Sequence, residues 1–410
     1  MKPFSLYLHI PFCFHKCPYC DFNTYAVSSF PEKEYTGALL AELDYRAAQP
    51  EWSGREVQTI FFGGGTPSLF APVSIRKIVS AICTLFPVSE QVEISLEANP
   101  GTVTAESLLG YAQAGVNRLS LGAQSFLPDT LKALGRVHTP EQTEVAIHHA
   151  RAAGISNINV DLMYGAPHQT LGDVRSDLAE AVRLGVTHIS AYHLTIEKGT
   201  EFFTANRRGT LRLPKEGAIV QMMEGAIASL SESGFVHYEV SNFAKPGFHA
   251  RHNLAYWNHD DYLGLGAGAH SYRFTGAQGS LWGSRWSNYA APKQYIDKAT
   301  GQGDASCWKD NHSLKDEFFE HIFLGLRKRA GVALHDFATR YRCTLQTLYP
   351  TLLSLLETEG LIGISDNAIS LTSRGLLLAD SVIENFAEPE FVPPLEHSNG
   401  AALIGGAQGN

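Results

Sequence analysis

The sequence predicts an α/β protein: an open (β/α)6 partial TIM barrel followed by a smaller, mainly helical, winged-helix-like domain. Three observations predict it. Six strand-like runs alternate with segments of helical periodicity across residues 1–198, the distinctive motifs of that region sit at the carboxyl ends of the runs, and the repeat then stops and helical patterning takes over. Alternation of this regularity builds parallel βαβ units with right-handed crossovers. Six units fall short of a closed eight-fold barrel, and ligands in such arrays lie at the carboxyl ends of the strands.

The strand-like runs are Phe4 to Ile10, Glu56 to Phe62, Val92 to Glu97, Asn117 to Leu121, Ile155 to Leu162 and Thr187 to His193. Between them, Tyr35 to Ala47, Pro72 to Phe86, Ala105 to Ala114, Pro140 to Ala153 and Leu171 to Leu184 carry apolar residues at helical spacing, and several stop at Gly115, Gly154 or Gly185. Residues 199–312 break the repeat: a long helix over Lys215 to Ser233 leads into the aromatic, Gly-rich stretch Tyr238 to Tyr272, expected to close the open side of the barrel. Residues 313–387 are expected to form the C-terminal domain, with helices over Asp316 to Arg329, Leu334 to Tyr341 and Leu345 to Glu357. A hairpin follows, Leu361 to Ile364 and Ala368 to Leu371 around Asp366-Asn367. Residues 388–410, rich in Pro, Gly and Asn, are expected to be a disordered tail.

Composition narrows the function. A net charge of -9 over 410 residues lacks the basic excess with which proteins neutralise nucleic-acid phosphates. No stretch approaches the roughly 18 uninterrupted apolar residues of a membrane span, and the start lacks a signal peptide's charged region and cleavage pattern. Oxygen-labile chemistry at the thiols described next needs reduced cysteines, so a cytoplasmic location is expected.

The most informative motif follows the first strand: Cys13, Cys17 and Cys20, spaced C-x3-C-x2-C. Three thiolates leave a cubane iron–sulfur cluster with one open iron, whereas structural zinc wants four closed ligands. A zinc site remains open if His9, His15 or Asp21 supplies the fourth. Cys83, Cys307 and Cys343 stand alone and read as incidental thiols. The second strand ends in Phe62-Gly63-Gly64-Gly65-Thr66-Pro67-Ser68, whose glycines let backbone amides approach a ligand closely. Glu97, Gln124 in GAQSF and Asp161 fall at or just after later strand ends, and Arg136 lies in LGRVH, so polar groups converge on one rim.

The segment HIPFCFHKCPYCDF resembles the radical S-adenosylmethionine (SAM) superfamily, and within it the branch of oxygen-independent coproporphyrinogen III oxidases and HemW haem chaperones. The resemblance covers residues 1–385 and implies a partial barrel of the radical SAM type. It implies a four-iron four-sulfur cluster on Cys13, Cys17 and Cys20, with SAM bound to the open iron and cleaved reductively. It further implies that Tyr7, Tyr19, Gly64, Gly65, Thr66, Glu97, Gln124, Arg136 and Asp161 contact SAM.

Two features separate the branches. The oxidases carry a further cysteine two positions after the third, where this chain has Phe22, and His252-Asn-Leu-Ala-Tyr-Trp257 matches the HNxxYW pattern of the haem chaperones. Read without the resemblance, HNLAYW is a core strand with a buried histidine. With it, His252 is a candidate haem ligand, His138 is an alternative, and no catalytic residue is assigned. The implied function is a chaperone that binds haem, with the cluster and SAM, and passes haem to respiratory acceptor proteins, as monomer or dimer. The alternative is the oxidase.

Overall fold

The computed structural model describes residues 2–278 and 281–391. The six expected strands form, as β1 (Phe4–Ile10), β2 (Val57–Gly64), β3 (Val88–Ala98), β4 (Arg118–Gln124), β5 (Asn157–Tyr164) and β6 (His188–His193). Each pairs with the next in parallel. Side chains alternate across a strand. Leu6 and Leu8, Ile60 and Phe62, Leu119 and Leu121, and Ile158 and Val160 are buried in one apolar core, while Tyr7, Phe61, Glu97, Ser120, Asp161 and Ser190 line the concave side.

The expected crossovers are α1 (Glu32–Ala47), α2 (Pro72–Leu85), α3 (Ala105–Gln113), α4 (Pro140–Ala152) and α5 (Leu171–Arg183). Capping boxes at Thr104/Ser107, Thr139/Gln142 and Thr170/Asp173 start three of them. They are followed by Gly115, Gly154 and Gly185 at φ of 102°, 91° and 68°, the left-handed stop that glycine adopts freely.

The extension differs from expectation: its strands lengthen the sheet at both edges. After α6 (Glu216–Glu232), β8 (Asn242–Ala244) adds antiparallel to β6, and β7 (Val236–His237) antiparallel to β8. HNLAYW lies in a helix, α7 (Arg251–Trp257), and not in a core strand. The Glu93 carboxylate accepts from the Arg251 and His252 amides, both at 3.0 Å, and the Tyr238 hydroxyl accepts from Ala250 N at 3.2 Å, which satisfies the helix start. Then β9 (Tyr262–Leu265) runs parallel to β1, followed by antiparallel β10 (His270–Gln278), β11 (Leu281–Asn288) and, after α8 (Pro292–Gln302), β12 (Ser306–His312). Among the described residues the sheet has twelve strands, ordered β12-β11-β10-β9-β1-β2-β3-β4-β5-β6-β8-β7.

Buried Glu42 ties α1 to this extension. Its carboxylate accepts from Gly266 N at 3.0 Å, Asn288 Nδ2 at 2.8 Å and Tyr295 Oη at 2.8 Å. Glu42→Ala leaves three buried donors without their acceptor, and the expected loss is about 3 kcal/mol in urea denaturation. An unchanged unfolding midpoint would contradict this role.

The C-terminal domain contains α9 (Leu314–Gly325), α10 (Leu334–Tyr341), α11 (Leu345–Leu348) and α12 (Pro350–Thr358), beside a sheet of β13 (Val332–Ala333), β14 (Ile362–Ile364) and β15 (Ala368–Leu371). The helix expected over Leu345 to Glu357 breaks at Tyr349, because Pro350 has no amide to donate backwards. The expected hairpin forms, with Ser365 N donating to Ala368 O at 3.0 Å around Asp366-Asn367. Residues 388–391 of the expected tail are docked: Glu390 accepts from Thr351 N at 3.2 Å and Leu352 N at 2.7 Å. The rest of the tail lies outside the described residues.

Candidate functional site

The three cysteines occupy the loop leaving β1. Phe12–Cys13 pairs with Tyr25–Ala26, and a turn brings Cys20 N to Cys17 O at 3.0 Å, so the thiols gather at the carboxyl end of the barrel. Thr66 Oγ1 donates to Cys13 Sγ at 3.3 Å and Arg136 Nη1 to Cys17 Sγ at 3.4 Å. Burial pushes the Cys13 and Cys20 thiols up, and donors such as Thr66 at Cys13 and the Phe22 backbone at Cys20 oppose it. Donors of that kind favour the thiolate, the form that binds metal. All three cysteines line one cavity of ≈140 Å³ together with Gly64, Gly65, Glu97, Gln124, Arg136 and Asp161.

This donor set fits a cubane, whose corners three thiolates can hold while one iron stays open. His9 spends both nitrogens, on Tyr7 Oη at 2.9 Å and Asn23 O at 3.0 Å, and His15 Nε2 sits 3.1 Å from Gly135 O. A cubane asks less of them, because three cysteines hold three of its corners separately. Cys83 and Cys307 are exposed and Cys343 belongs to the C-terminal domain.

The glycine loop plays a different part from the one expected. Gly64 N donates to Glu97 Oε2 at 3.0 Å, Gly65 N to Ile10 O at 2.8 Å and Thr66 N to Phe12 O at 2.9 Å, so these amides are spent within the protein. The glycines make room for the chain itself. A Cβ on Gly64, at φ 114°, would stand 2.5 Å from His9 Cε1, and one on Gly65 2.7 Å from Phe12 O.

Glu97 and Asp161 approach each other across the cavity wall. Burial, and then the Asp161 charge, pushes Glu97 up to about 8 against the Gly64 amide. Asp161 is also raised by burial, opposed by Asn159, Ser190 and Ser120. Asn159 Nδ2 donates to Asp161 Oδ1 at 2.7 Å, while His188 Nδ1 holds Asn159 Oδ1 at 2.6 Å. Asn159 and His188 are site residues that sequence reasoning missed.

A raised carboxyl stabilises the fold only while it holds its proton. Glu97 in the ligand-free protein therefore loses stability as pH rises from the unfolded value near 4.5 through about 8. Glu97→Gln is expected to flatten that part of the stability profile, read as unfolding midpoints at pH 5 to 8. Equal slopes in both proteins would contradict the assignment.

Arg136 completes the rim. Nη2 donates to Asn99 Oδ1 at 2.5 Å and Gly122 O at 2.7 Å, while buried Nε has no partner. A guanidinium lining the cavity suits a ligand carboxylate, and the carboxyl pair Glu97 and Asp161 suits a cation. Gln124 borders the same space at φ 65°, a left-handed conformation unusual for a side-chain-bearing residue. The cavity adjoins a larger one of ≈620 Å³, with Tyr19, Glu97, Gln124 and Asp161 in both walls. Tyr7, Phe61, Tyr192 and Tyr256 supply its aromatic lining. Of the expected contacts, all but Tyr7 and Thr66 line the smaller cavity; Tyr7 lines the larger one, and Thr66 braces Cys13.

His252 does not offer the free nitrogen expected of a haem ligand. Nδ1 pairs with Thr59 Oγ1 at 2.7 Å and Nε2 with Tyr256 Oη at 3.0 Å, the ring stacks on Phe61 at 4.9 Å, and the residue is 1% exposed. Burial pushes it down to about 3, so it is a neutral wall residue. His138 is also buried, with Nε2 3.0 Å from Ala123 O.

The radical SAM superfamily model matches residues 7–181, and the HemN C-terminal domain model matches residues 312–378. The heme chaperone HemW of Bacillus subtilis is 39% identical over 386 residues, 93% of this chain and 98% of the relative. The chain belongs to the HemW family. HemW of Haemophilus influenzae is 37% identical over 95% of this chain and 99% of its own. In the solved structures, coproporphyrinogen III oxidase (HemN) of Escherichia coli, a radical SAM enzyme, superposes with a TM-score of 0.78 at 25% identity, covering 94% of this chain and 90% of that one. HemW family membership places the chain among radical SAM proteins, whose cofactors are a four-iron four-sulfur cluster and SAM; the cysteine loop and the Arg136, Glu97 and Asp161 wall fit them.

Proposed function

We propose that the chain is a haem chaperone: it binds haem, holds a cluster and SAM in the barrel mouth, and hands haem to acceptor proteins of respiration. The observation that carries this reading is a match to heme chaperone HemW along 93% of the chain and 98% of the relative. The cluster supplies one-electron chemistry beside the sulfonium of SAM. The chain's own residues do the rest: Cys13, Cys17 and Cys20 ligate, Arg136 receives the carboxylate, Glu97 and Asp161 face the cationic end, and Tyr7 and Tyr19 shield it from water. This reading places the protein in the cytoplasm; among the described residues no helix is long and apolar enough to cross a membrane.

The likeness to HemN makes the oxidase the second reading. Phe22, 63% exposed at the cavity edge, brings no thiol to the position where the oxidases carry their further cysteine. The deciding experiment is a haem titration run beside a coproporphyrinogen turnover assay on the reconstituted protein. Haem uptake without turnover supports the chaperone, and turnover supports the oxidase.

A further inference from the structure

The Asp161 carboxylate has a support that runs away from the cavity. Strand β5 places Asn159 and Asp161 two residues apart on one face, and parallel β6 sets His188 opposite Asn159 and Ser190 opposite Asp161. Asn159, His188 and Ser190 are buried, so each polar group among them needs a partner within the protein.

The chemistry of the groups fixes the direction of the hydrogen bonds. Tyr238 Oη accepts from Ala250 N at 3.2 Å and lies 2.7 Å from His188 Nε2, so its one proton goes to that nitrogen. His188 therefore carries its own proton on Nδ1 and donates it to Asn159 Oδ1 at 2.6 Å, an oxygen that also accepts from Ser190 Oγ at 3.1 Å. The Asn159 amide nitrogen is thereby turned to Asp161 Oδ1, at 2.7 Å. Burial, the Arg118 charge and His249 hold His188 well below the usual histidine value, which keeps the ring neutral and both of its bonds in place.

The far end of this chain is the start of α7. Tyr238 takes the amide of Ala250, the residue before the helix, and stacks on His249 at 4.3 Å. A continuous run of hydrogen bonds thus joins a carboxylate of the cavity wall to the helix that carries HNLAYW. Burial pushes the ligand-free Asp161 up, toward its protonated form. A cation beside it favours the carboxylate, which draws harder on the Asn159 amide, and each bond behind is polarised in turn.

We propose that Asn159, His188 and Tyr238 are positioning residues that hold Asp161 for SAM and carry its occupancy to the start of the HNLAYW helix, so that bound SAM stiffens that helix. This rests on the SAM site of the reading above. It links the cluster side of the barrel to the motif that marks the haem chaperones.

The test is amide hydrogen exchange of the cluster-loaded protein with and without SAM, read over residues 249–257, beside equilibrium binding of SAM. In wild type, SAM is expected to slow exchange in this segment by about fivefold or more. Tyr238→Phe removes one oxygen and leaves the Glu93 carboxylate on the Arg251 and His252 amides, so the helix survives and the slowing is lost. Asn159→Leu is expected to loosen SAM by about tenfold. His188→Asn puts an amide nitrogen where Nδ1 stood and nothing where Nε2 stood. It should bind SAM more tightly than His188→Leu yet lose the slowing, a split that a merely structural role does not produce. Tyr349→Phe removes a buried hydroxyl that donates to Phe386 O in the C-terminal domain, and it keeps the full response. Intact cluster absorption reports an intact fold.

Equal exchange with and without SAM in wild type that binds SAM, full slowing in Tyr238→Phe, or parent-like SAM affinity in Asn159→Leu overturns the relay and leaves the SAM site standing. No SAM binding by cluster-loaded wild type overturns both.

Discussion

Replacing Cys13, Cys17 and Cys20 together by alanine is expected to abolish iron and sulfide incorporation and the visible absorption of the anaerobically reconstituted protein. The effect is all or nothing, because among the described residues Cys13, Cys17 and Cys20 are the cysteines that line the cavity, while His9 is held by Tyr7 and Asn23 and His15 Nε2 by Gly135. The fold survives, since the loop hangs from β1 and contributes little to the apolar core that Leu6, Leu8 and Ile10 enter. Replacing Cys83, Cys307 and Cys343 leaves the cluster in place, as none of them lines the site. Iron retained by the first triple variant, or stoichiometric zinc in the native protein, would contradict the ligand assignment.

Arg136→Met is expected to weaken SAM binding by about 10- to 150-fold, the effect of losing a charged hydrogen bond worth about 1.5–3 kcal/mol. Arg136→Lys keeps the charge without the planar fork and recovers only part of the affinity. The guanidinium lines the cavity, with Nη2 on Asn99 and Gly122 and Nη1 on Cys17. Equilibrium binding to cluster-loaded protein checks this, with iron content measured in parallel. Parent-like affinity in Arg136→Met would remove the residue from the site. Gly64→Val is a poor probe of the same question, since its side chain would strike His9 and disturb the cysteine loop.

The barrel was legible because its signals are local. Each strand carries its own period-two or continuous apolar run, each crossover its 3.6-residue period, and capping residues and glycines punctuate both. The cysteine motif and the strand-end Glu97 and Asp161 were legible for the same reason. What the sequence hid was decided by tertiary contacts. HNLAYW reads as a strand because six residues rich in aromatics show no helical period, and its helix is fixed from outside by Glu93 and Tyr238. The extension strands that join the barrel, β9 to β1 and β8 to β6, depend on partners far along the chain. Asn159 and His188 are isolated polar residues within strands, and no spacing rule marks them. The break at Pro350 is the exception, since the proline signals it in the sequence.

The central claim is that this chain carries haem and does not make its precursor. The most direct measurement gives reduced, cluster-loaded protein both haem and, separately, coproporphyrinogen with SAM. The account predicts stoichiometric haem uptake with a ligand-dependent Soret band, and no protoporphyrinogen. Catalytic conversion of coproporphyrinogen to protoporphyrinogen, with no haem bound, would contradict it.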